Sequence, residues 1–203
     1  EWQVISWEQA YKEIAERLND IKAKYGPESV AFTSKSGSLA GHLFQLASVY
    51  GSPNTFTHAT TCPAGKAIAA KVMMGGDLGL DLGNSDYIVS FGHNLYEGIE
   101  VAETHELMEA QMKGAKLVSF DPRLSVVSSK ADEWFAIRPA TDLAVLMAMA
   151  HVMIKEDLYD KAFVARYTTG LEQLKEAVKE TPPEWAAAYA GVPAEAIVRL
   201  TRE

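Results

Sequence analysis

Two kinds of hydrophobic periodicity alternate along the chain. Apolar residues recur every three or four positions from Trp7 to Ile21, which predicts an amphipathic helix that begins after Ser6 and ends near Gly26. Short apolar runs of strand length then alternate with helical stretches, and beyond residue 158 the pattern is helical throughout. The predicted strands are 29–34, 53–58, 85–91, 115–120 and 134–137.

Strands that alternate with helices are typical of the α/β class. The pattern therefore predicts mostly parallel sheets in Rossmann-like three-layer sandwiches, with a helical C-terminal stretch. We expect residues 1–58 to form a helix plus a β-α-β part of a discontinuous α/β subdomain. Residues 59–203 are expected to form a dinucleotide-binding α/β subdomain that ends in helices. The chain lacks an initiator Met and stops within a predicted helix, so we expect an internal piece of a longer protein.

Composition narrows the class of protein. The 203 residues are 48% hydrophobic, which excludes a disordered chain. No apolar run reaches the length of a membrane span. The formal charge of −8, without a basic cluster, argues against nucleic acid or an anionic membrane surface as the main partner.

The single cysteine lies where a predicted strand gives way to a helix. Cys62 follows the strand 53–58 and precedes the helix 64–74, and Pro63 suits the first helical position. A thiol at a helix N-terminus is favoured as the thiolate. A lone cysteine is often an inert core thiol, whereas the polar neighbours here favour function. The residues alone leave both interpretations open.

Two further strands end in chemically informative turns. Gly92-His93-Asn94 follows the strand 85–91, a helix is predicted over 97–113, and Asp121-Pro122-Arg123 follows the strand 115–120. This order is typical of a dinucleotide-binding unit, in which a glycine turn admits phosphate and the later acid accepts from ribose hydroxyls. A full G-x-G-x-x-G is absent, so ordinary α/β packing is the alternative.

The strand 134–137 is followed by Arg138-Pro139-Ala140-Thr141-Asp142. Thr141 or Asp142 is expected to cap the next helix, 143–158. His58 and His93 lie at predicted strand ends. Because neither H-x-x-x-H nor C-x-x-C spacing occurs, a zinc or iron–sulfur site made by this chain alone is not expected.

Taken in order, four motifs resemble those of the molybdopterin oxidoreductases of the dimethyl sulfoxide reductase family. They are Thr61-Cys62-Pro63, Gly92-His93-Asn94, Asp121-Pro122-Arg123 and Arg138-Pro139-Ala140-Thr141-Asp142. The first helix also resembles the one that follows the family's iron–sulfur domain. The resemblance implies a bis(molybdopterin guanine dinucleotide) cofactor whose molybdenum or tungsten is held by four dithiolene sulfurs. Cys62 then stands at the position of the protein's metal ligand, for which a soft thiolate is suited.

The resemblance also implies roles for the other motif residues. His58 is expected to face the substrate or support the metal ligand, with a structural role at the strand end as the alternative. The chain departs from the family pattern at two positions, which bears on the expected contacts with the cofactor. Ala140 stands where many relatives have glycine, and Leu95 stands where many have proline. The implied cofactor-binding residues are Thr61, Gly92, His93, Asn94, Asp121, Pro122, Arg123, Arg138, Thr141 and Asp142.

Pro63 helps to decide which subfamily the chain resembles. Formate dehydrogenases usually have His after the metal-binding residue, whereas Thr-Cys-Pro resembles the polysulfide, thiosulfate and tetrathionate reductases. The expected function is therefore two-electron reduction of an inorganic sulfur compound in a catalytic subunit. The alternatives are a formate dehydrogenase, a nitrate or arsenate reductase, a noncatalytic scaffold subunit without cofactor, and a nucleotide-binding module with a coincidental cysteine.

The family resemblance implies partners outside this chain. These are the rest of the catalytic subunit with its 4Fe-4S cluster, an iron–sulfur electron-transfer subunit, a membrane anchor subunit and a small inorganic substrate. It also implies a periplasmic or membrane-associated location on the outer face of the cytoplasmic membrane. We expect that the isolated chain would not retain the complete cofactor.

Overall fold

The computed structural model describes residues 2–35, 37, 40–58, 62, 64–98 and 100–203. The chain forms two compact units, Glu1–Gly79 and Leu80–Glu203. Residues 64–79 therefore group with the first unit, whereas the sequence placed the division between residues 58 and 59. The subdomain boundary expected between residues 58 and 59 stays a prediction. Among the described residues, no helix combines the length and the apolar character that a membrane crossing requires.

The first unit is a small α/β arrangement. Its strands, β1 (Phe32–Ser34) and β2 (Thr55–Thr57), pair in parallel, with Thr33 opposite Phe56. Its helices are α1 (Trp7–Tyr25), α2 (Ala40–Tyr50) and α3 (Ala64–Met74).

The core of the first unit forms around Tyr50. Tyr50 packs with Phe32 and Ala47, and its hydroxyl donates to the Leu18 carbonyl at 2.7 Å. Lys22 Nζ in turn donates to the Tyr50 carbonyl at 2.7 Å. These two bonds join α1 to α2, although α1 buries none of its own residues.

The second unit is built on a three-stranded parallel sheet. Its strands are β3 (Tyr87–Phe91), β4 (Lys116–Phe120) and β5 (Glu133–Phe135), and they lie in the order β3-β4-β5. The connections between them contain α4 (Val101–Met112) and α5 (Val126–Lys130). Parallel neighbours need such crossover segments, because each strand must start again at the same edge.

Side chains of β4 alternate between two hydrophobic cores, as the period-two geometry of a strand requires. Leu117 packs with Leu107 of α4 and Val127 of α5. On the opposite face, Val118 and Phe120 pack against three helices. These are α6 (Asp142–Lys155), α9 (Pro183–Ala190) and α10 (Ala194–Arg202). Helices thus cover both faces of the sheet, and the predicted α/β three-layer architecture is confirmed.

The helical C-terminal stretch is confirmed as well. Two short helices, α7 (Lys161–Tyr167) and α8 (Leu171–Val178), lie between α6 and α9. Asp160 caps α7, since its Oδ1 accepts from the Phe163 N–H at 2.9 Å. Pro183 stands at the start of α9, where its missing N–H costs no helical hydrogen bond.

Several local predictions were wrong in detail. β1, β2 and β5 have three residues each, whereas strands were predicted over 29–34, 53–58 and 134–137. The helix expected over 97–113 is split into a 3₁₀ turn, Leu95–Glu97, and α4, because Gly98 is extended with ψ −175°. No side chain caps α6, since the Thr141 hydroxyl donates instead to the Arg138 carbonyl at 2.6 Å. α6 ends at Lys155 and not at residue 158, because Asp157 adopts a left-handed conformation with φ 57°.

Candidate dinucleotide-binding site

The carboxyl edge of the β3-β4-β5 sheet collects the predicted site residues of the second unit. Gly92 follows β3 and donates its N–H to the Phe120 carbonyl at 2.8 Å. Asp121 follows β4 and donates its N–H to the Phe135 carbonyl at 3.1 Å. The sheet hydrogen bonding therefore continues into both turns and brings them to one edge, where open parallel sheets bind ligands.

Three phenylalanines support this edge from within the core. Phe91, Phe120 and Phe135 stand in register at the last positions of the three strands. Their rings are stacked, with centroids 4.6 Å apart between Phe91 and Phe120 and 5.2 Å apart between Phe120 and Phe135. The turns that follow the strands thus start from a closely packed layer.

Gly92 has the conformation that a phosphate-binding turn requires. Its φ is +59°, in the left-handed region that glycine adopts without steric cost. A Cβ placed on Gly92 would have no heavy atom within 4 Å. The backbone of this turn is therefore open to an approaching group, as the dinucleotide prediction requires.

Asn94 joins the first turn to the second. Its Oδ1 accepts from the Val127 N–H of α5 at 3.2 Å, and its Nδ2 donates to Glu97 Oε2. The same Glu97 oxygen accepts from Arg123 Nη2 at 3.4 Å. We call these three side chains the Asn94–Glu97–Arg123 bridge. It connects the residues after β3 with those after β4.

Asp121 is a buried carboxylate, with 7% of its surface exposed. Its Oδ1 accepts from the Arg123 N–H at 2.9 Å, and its main-chain carbonyl accepts from Trp134 Nε1 at 2.9 Å. An ionised carboxylate has about four acceptor positions. Asp121 is therefore held in place and keeps the capacity to accept from ribose hydroxyls.

The third turn, residues 138–142, is held by hydrogen bonds within the protein. Arg138 Nη1 donates to the Ala188 and Tyr189 carbonyls at 2.9 and 3.2 Å, near the C-terminus of α9. A cation at this position complements the negative end of the helix dipole. Ala140 adopts the left-handed conformation with φ 64°, and Asp142, half-buried, begins α6. The predicted cofactor contacts of Arg138, Thr141 and Asp142 stay predictions.

His93 and Pro122 lie in the first two turns and are exposed. The His93 carbonyl accepts from the Ser90 hydroxyl at 3.1 Å, which closes the turn after β3. Both residues are therefore accessible to a ligand, and their roles in binding stay predictions.

The cysteine turn belongs to the first unit. Cys62 is exposed and lies between β2 and α3, as predicted. Its N–H donates to the carbonyl of the half-buried His58 at 3.1 Å. Thr61 and Pro63 lie outside the described residues. The metal-ligand role of Cys62 and the substrate-facing role of His58 stay predictions.

The opposite, amino edge of the second unit's sheet carries an ionic network. Lys116 Nζ lies 2.9 Å from Glu133 Oε1, and Arg199 of α10 pairs with both Glu133 and Glu203. Hydrogen bonds from Arg199 and Lys116 lower the pKa of Glu133 to about 2. Burial, followed by a hydrogen bond to Glu203, raises the pKa of Tyr87 to about 12. The first residues of all three strands are thus joined to α10.

A family model described as molybdopterin oxidoreductase matches residues 1–195. The chain belongs to the molybdopterin oxidoreductase family. Family members of the dimethyl sulfoxide reductase type use a molybdenum bis(molybdopterin guanine dinucleotide) cofactor. The match confirms the family that the motifs resemble. The open turn at Gly92 and the buried Asp121 carboxylate are compatible with the dinucleotide part of this cofactor, and their contacts with it stay predictions.

Relatives of this chain within the family are named after different reactions. The thiosulfate reductase molybdopterin-containing subunit PhsA of Salmonella typhimurium is 76% identical over 203 residues, which are 100% of this chain and 27% of that relative. The acetylene hydratase of Syntrophotalea acetylenica is 37% identical over 193 residues, which are 94% of this chain and 26% of that relative. The chain thus spans about a quarter of the curated relatives it matches.

A solved structure of a family member shows the same fold. The acetylene hydratase from Pelobacter acetylenicus matches with a TM-score of 0.78 at 35% sequence identity. The match covers 99% of this chain and 28% of that one. Both units of the present chain therefore have counterparts in that structure.

Sequence reasoning missed three features near the candidate site. Glu97 was assigned to a helix, although its spacing of three from Asn94 is that of a turn contact. Trp134, 38% exposed, was assigned only to a strand. Ser128, buried in α5, bonds the hydroxyls of Ser119 and Ser125 at 2.9 and 2.8 Å. Ser125 before a short helix was the signal available for the last of these, because serine is a preferred N-cap.

Proposed function

We propose that the chain is the part of a thiosulfate reductase catalytic subunit that holds one guanine dinucleotide of the cofactor and supplies the metal ligand Cys62. The observation that carries this proposal is the 76% identity with the thiosulfate reductase subunit over all 203 residues. The Thr61-Cys62-Pro63 sequence supports the same substrate class. The turns at Gly92 and Asp121 support the dinucleotide assignment, since both meet at one sheet edge.

In this function the residues of the chain bind and orient. Gly92 admits a pyrophosphate oxygen to the turn, and the exposed guanidinium of Arg123 neutralises phosphate charge. Asp121 accepts from the ribose hydroxyls of the guanosine. Cys62 offers a thiolate to a sulfur-rich metal. When bound, the molybdenum or tungsten cofactor supplies the two-electron chemistry.

The proposed reaction breaks the S–S bond of thiosulfate. One thiosulfate dianion takes up two electrons and two protons and yields hydrogensulfite and hydrogensulfide. We propose that the electrons arrive through iron–sulfur clusters outside this chain. Polysulfide and tetrathionate also contain S–S bonds that two electrons cleave, so they are the first alternative substrates to assay.

The proposal is tested on the full-length parent protein, purified anaerobically as wild type and as Cys62→Ala. The expected wild type contains molybdenum or tungsten and two guanine dinucleotides per chain, and reduces thiosulfate. The expected variant keeps the dinucleotides and loses at least about 10²-fold in activity, the magnitude typical of a lost catalytic group. Wild-type protein without metal and pterin would refute the proposal in favour of a scaffold subunit.

The similarity to acetylene hydratase supports a second candidate. The 37% identity and the TM-score of 0.78 mean that the same fold is found in a relative with a different reaction name. Formate dehydrogenase H of Escherichia coli, 31% identical over 207 residues, is a third name in the family. The activity assay therefore includes acetylene and formate beside thiosulfate, and turnover of either one without thiosulfate reduction would replace the proposed substrate.

We also propose partner subunits and a location. The name of the Salmonella relative calls it a subunit, which supports an assembly with other chains. An iron–sulfur electron-transfer subunit and a membrane anchor subunit are the partners proposed, on the outer face of the cytoplasmic membrane. Affinity purification of the full-length protein from membranes, with identification of the copurifying chains, tests both. Recovery of the protein alone from the cytoplasm would contradict them.

A further inference from the structure

Glu97 lies at the centre of the Asn94–Glu97–Arg123 bridge. One carboxylate oxygen, Oε2, accepts from Asn94 Nδ2 and from Arg123 Nη2. We propose that Glu97 is a positioning residue that holds the Asn94 amide and the Arg123 guanidinium at the dinucleotide site. This inference rests on the proposed function, since it concerns the same guanine dinucleotide.

The contact pattern explains why Glu97 controls both side chains. Asn94 is already tied at its other end, because its Oδ1 accepts from the Val127 N–H. With Nδ2 bonded to Glu97, the amide has a single orientation. The main-chain N–H of Arg123 donates to Asp121 Oδ1, so the backbone of the second turn is also fixed. Glu97 therefore completes a connection from α5 through the first turn to the second.

Stability is a poor explanation for the bridge. The Arg123 and Glu97 side chains are 70% and 50% exposed, and their closest approach is 3.4 Å. Exposed ion pairs of this kind contribute little to folding. A guanidinium has five N–H donors, and the contact with Glu97 uses one of them. The remaining donors of the exposed Arg123 are available to phosphate oxygens in an orientation that Glu97 determines.

The negative charge of Glu97 and its hydrogen bonds are expected to affect cofactor binding in opposite directions, so the two effects can be separated by mutation. The negative charge of Glu97 near a pyrophosphate is repulsive, whereas its oxygen holds the two donors that bind. Glu97→Gln removes the charge and keeps an amide oxygen that can accept from Asn94 and Arg123. Glu97→Ala removes both. Positioning through hydrogen bonds therefore predicts that the glutamine variant retains the cofactor and the alanine variant does not.

The experiment measures retention of guanine nucleotide by the full-length parent protein. Wild type, Glu97→Gln, Glu97→Ala and the control Glu109→Ala are incubated at raised temperature, separated from released cofactor by gel filtration, and hydrolysed to quantify GMP. Glu109 is an exposed residue of α4 outside the bridge. Loss from Glu97→Ala is expected to be about tenfold faster than from wild type, the effect of one hydrogen bond to a charged group. Glu97→Gln and Glu109→Ala are expected to stay within about twofold of wild type.

Two results would overturn the inference: retention by Glu97→Ala at the wild-type rate, or loss from Glu97→Gln as fast as from Glu97→Ala. Wild-type protein that yields no GMP on hydrolysis before the incubation would instead refute the proposed function. If Glu97→Ala fails to fold, judged by its circular dichroism, Glu97→Leu replaces it, because leucine removes the acceptor oxygen and keeps most of the side-chain volume. The inference then requires that Glu97→Leu loses GMP about tenfold faster than Glu97→Gln, and equal rates contradict it.

Discussion

Phe120 is the central ring of the three stacked phenylalanines and is fully buried. We expect Phe120→Ala to lower the free energy of unfolding by about 4 kcal/mol, because a cavity replaces ring contacts on both sides. Phe163→Ala in α7, where the ring is exposed, is the control and is expected to cost less than about 1 kcal/mol. Urea denaturation followed by circular dichroism measures both. Equal losses in the two variants would show that the stacked layer is not a stability centre.

Ala140 is a residue with a side chain in the left-handed region, at φ 64°. A residue with a Cβ is destabilised by about 1–2 kcal/mol in this conformation. Glycine costs about 0.5–1 kcal/mol for a different reason, because it gives the unfolded chain more conformational entropy. Ala140→Gly is therefore expected to stabilise the protein by about 0.5 kcal/mol.

Ala177→Gly in α8 is the matched control for Ala140→Gly. Ala177 is an exposed residue in the last turn of a helix, where glycine is expected to cost up to about 1 kcal/mol relative to alanine. The two alanine-to-glycine changes are thus expected to shift the melting temperature in opposite directions. A lower melting temperature for Ala140→Gly would contradict the strain at that turn.

At the scale of elements, the amino-edge network joins three strands to α10 through Glu133. Its pKa is lowered from 4.5 to about 2 in the folded protein, first by the hydrogen bond from Arg199 and then by that from Lys116. A carboxyl whose folded pKa lies below its unfolded value stabilises the fold fully above the unfolded pKa. That contribution is lost as the pH falls from about 4.5 to about 2.

Glu133→Gln should therefore destabilise the protein at neutral pH, and its melting temperature should converge with that of wild type towards pH 2. Thermal denaturation at a series of pH values from 7 to 2 measures this difference. Glu109→Gln, an exposed change outside the network, serves as the control and should show no such convergence. A difference between Glu133→Gln and wild type that is independent of pH would rule out the ionic explanation.

At the scale of the whole molecule, the two compact units differ in the size of their cores. The buried cluster of the first unit contains Phe32, Ala47 and Tyr50 among the described residues, and α1 buries none of its own. The second unit has separate cores on both faces of its sheet. Because burial of apolar area is the main favourable term in folding, local opening should be easier in the first unit.

Hydrogen exchange with mass spectrometry on the purified chain tests this difference. Amides of α2 and β2 are expected to exchange faster than those of β4 and α9, which serve as the internal reference. Equal protection in the two units would show that they unfold as one cooperative body. In the full-length protein we expect the first unit to gain protection if the remaining polypeptide covers α1, whose Trp7 and Tyr11 are exposed.

Local sequence determined most elements of this protein. The starts of α7 to α10 follow from caps, prolines and glycines in the local sequence, because helix termini depend on nearby hydrogen-bonding groups. The parallel sheet and its carboxyl edge follow from the alternation of strands and helices, which placed Gly92 and Asp121 correctly. The cysteine turn between β2 and α3 was equally predictable. Family membership followed from the same motifs.

Only the tertiary structure decided which partners the site residues have. The bond from Arg138 to the Ala188 carbonyl, the bond from Trp134 to the Asp121 carbonyl and the bridge through Glu97 join groups that lie on different elements. The pKa of Glu133 depends on Arg199, which is far along the chain. Apart from the local Asn94–Glu97 contact, no spacing rule predicts such pairs, since they form when packed helices and strands bring side chains together. Helix and turn signals are local, whereas the environment of a site depends on the packing of the whole unit.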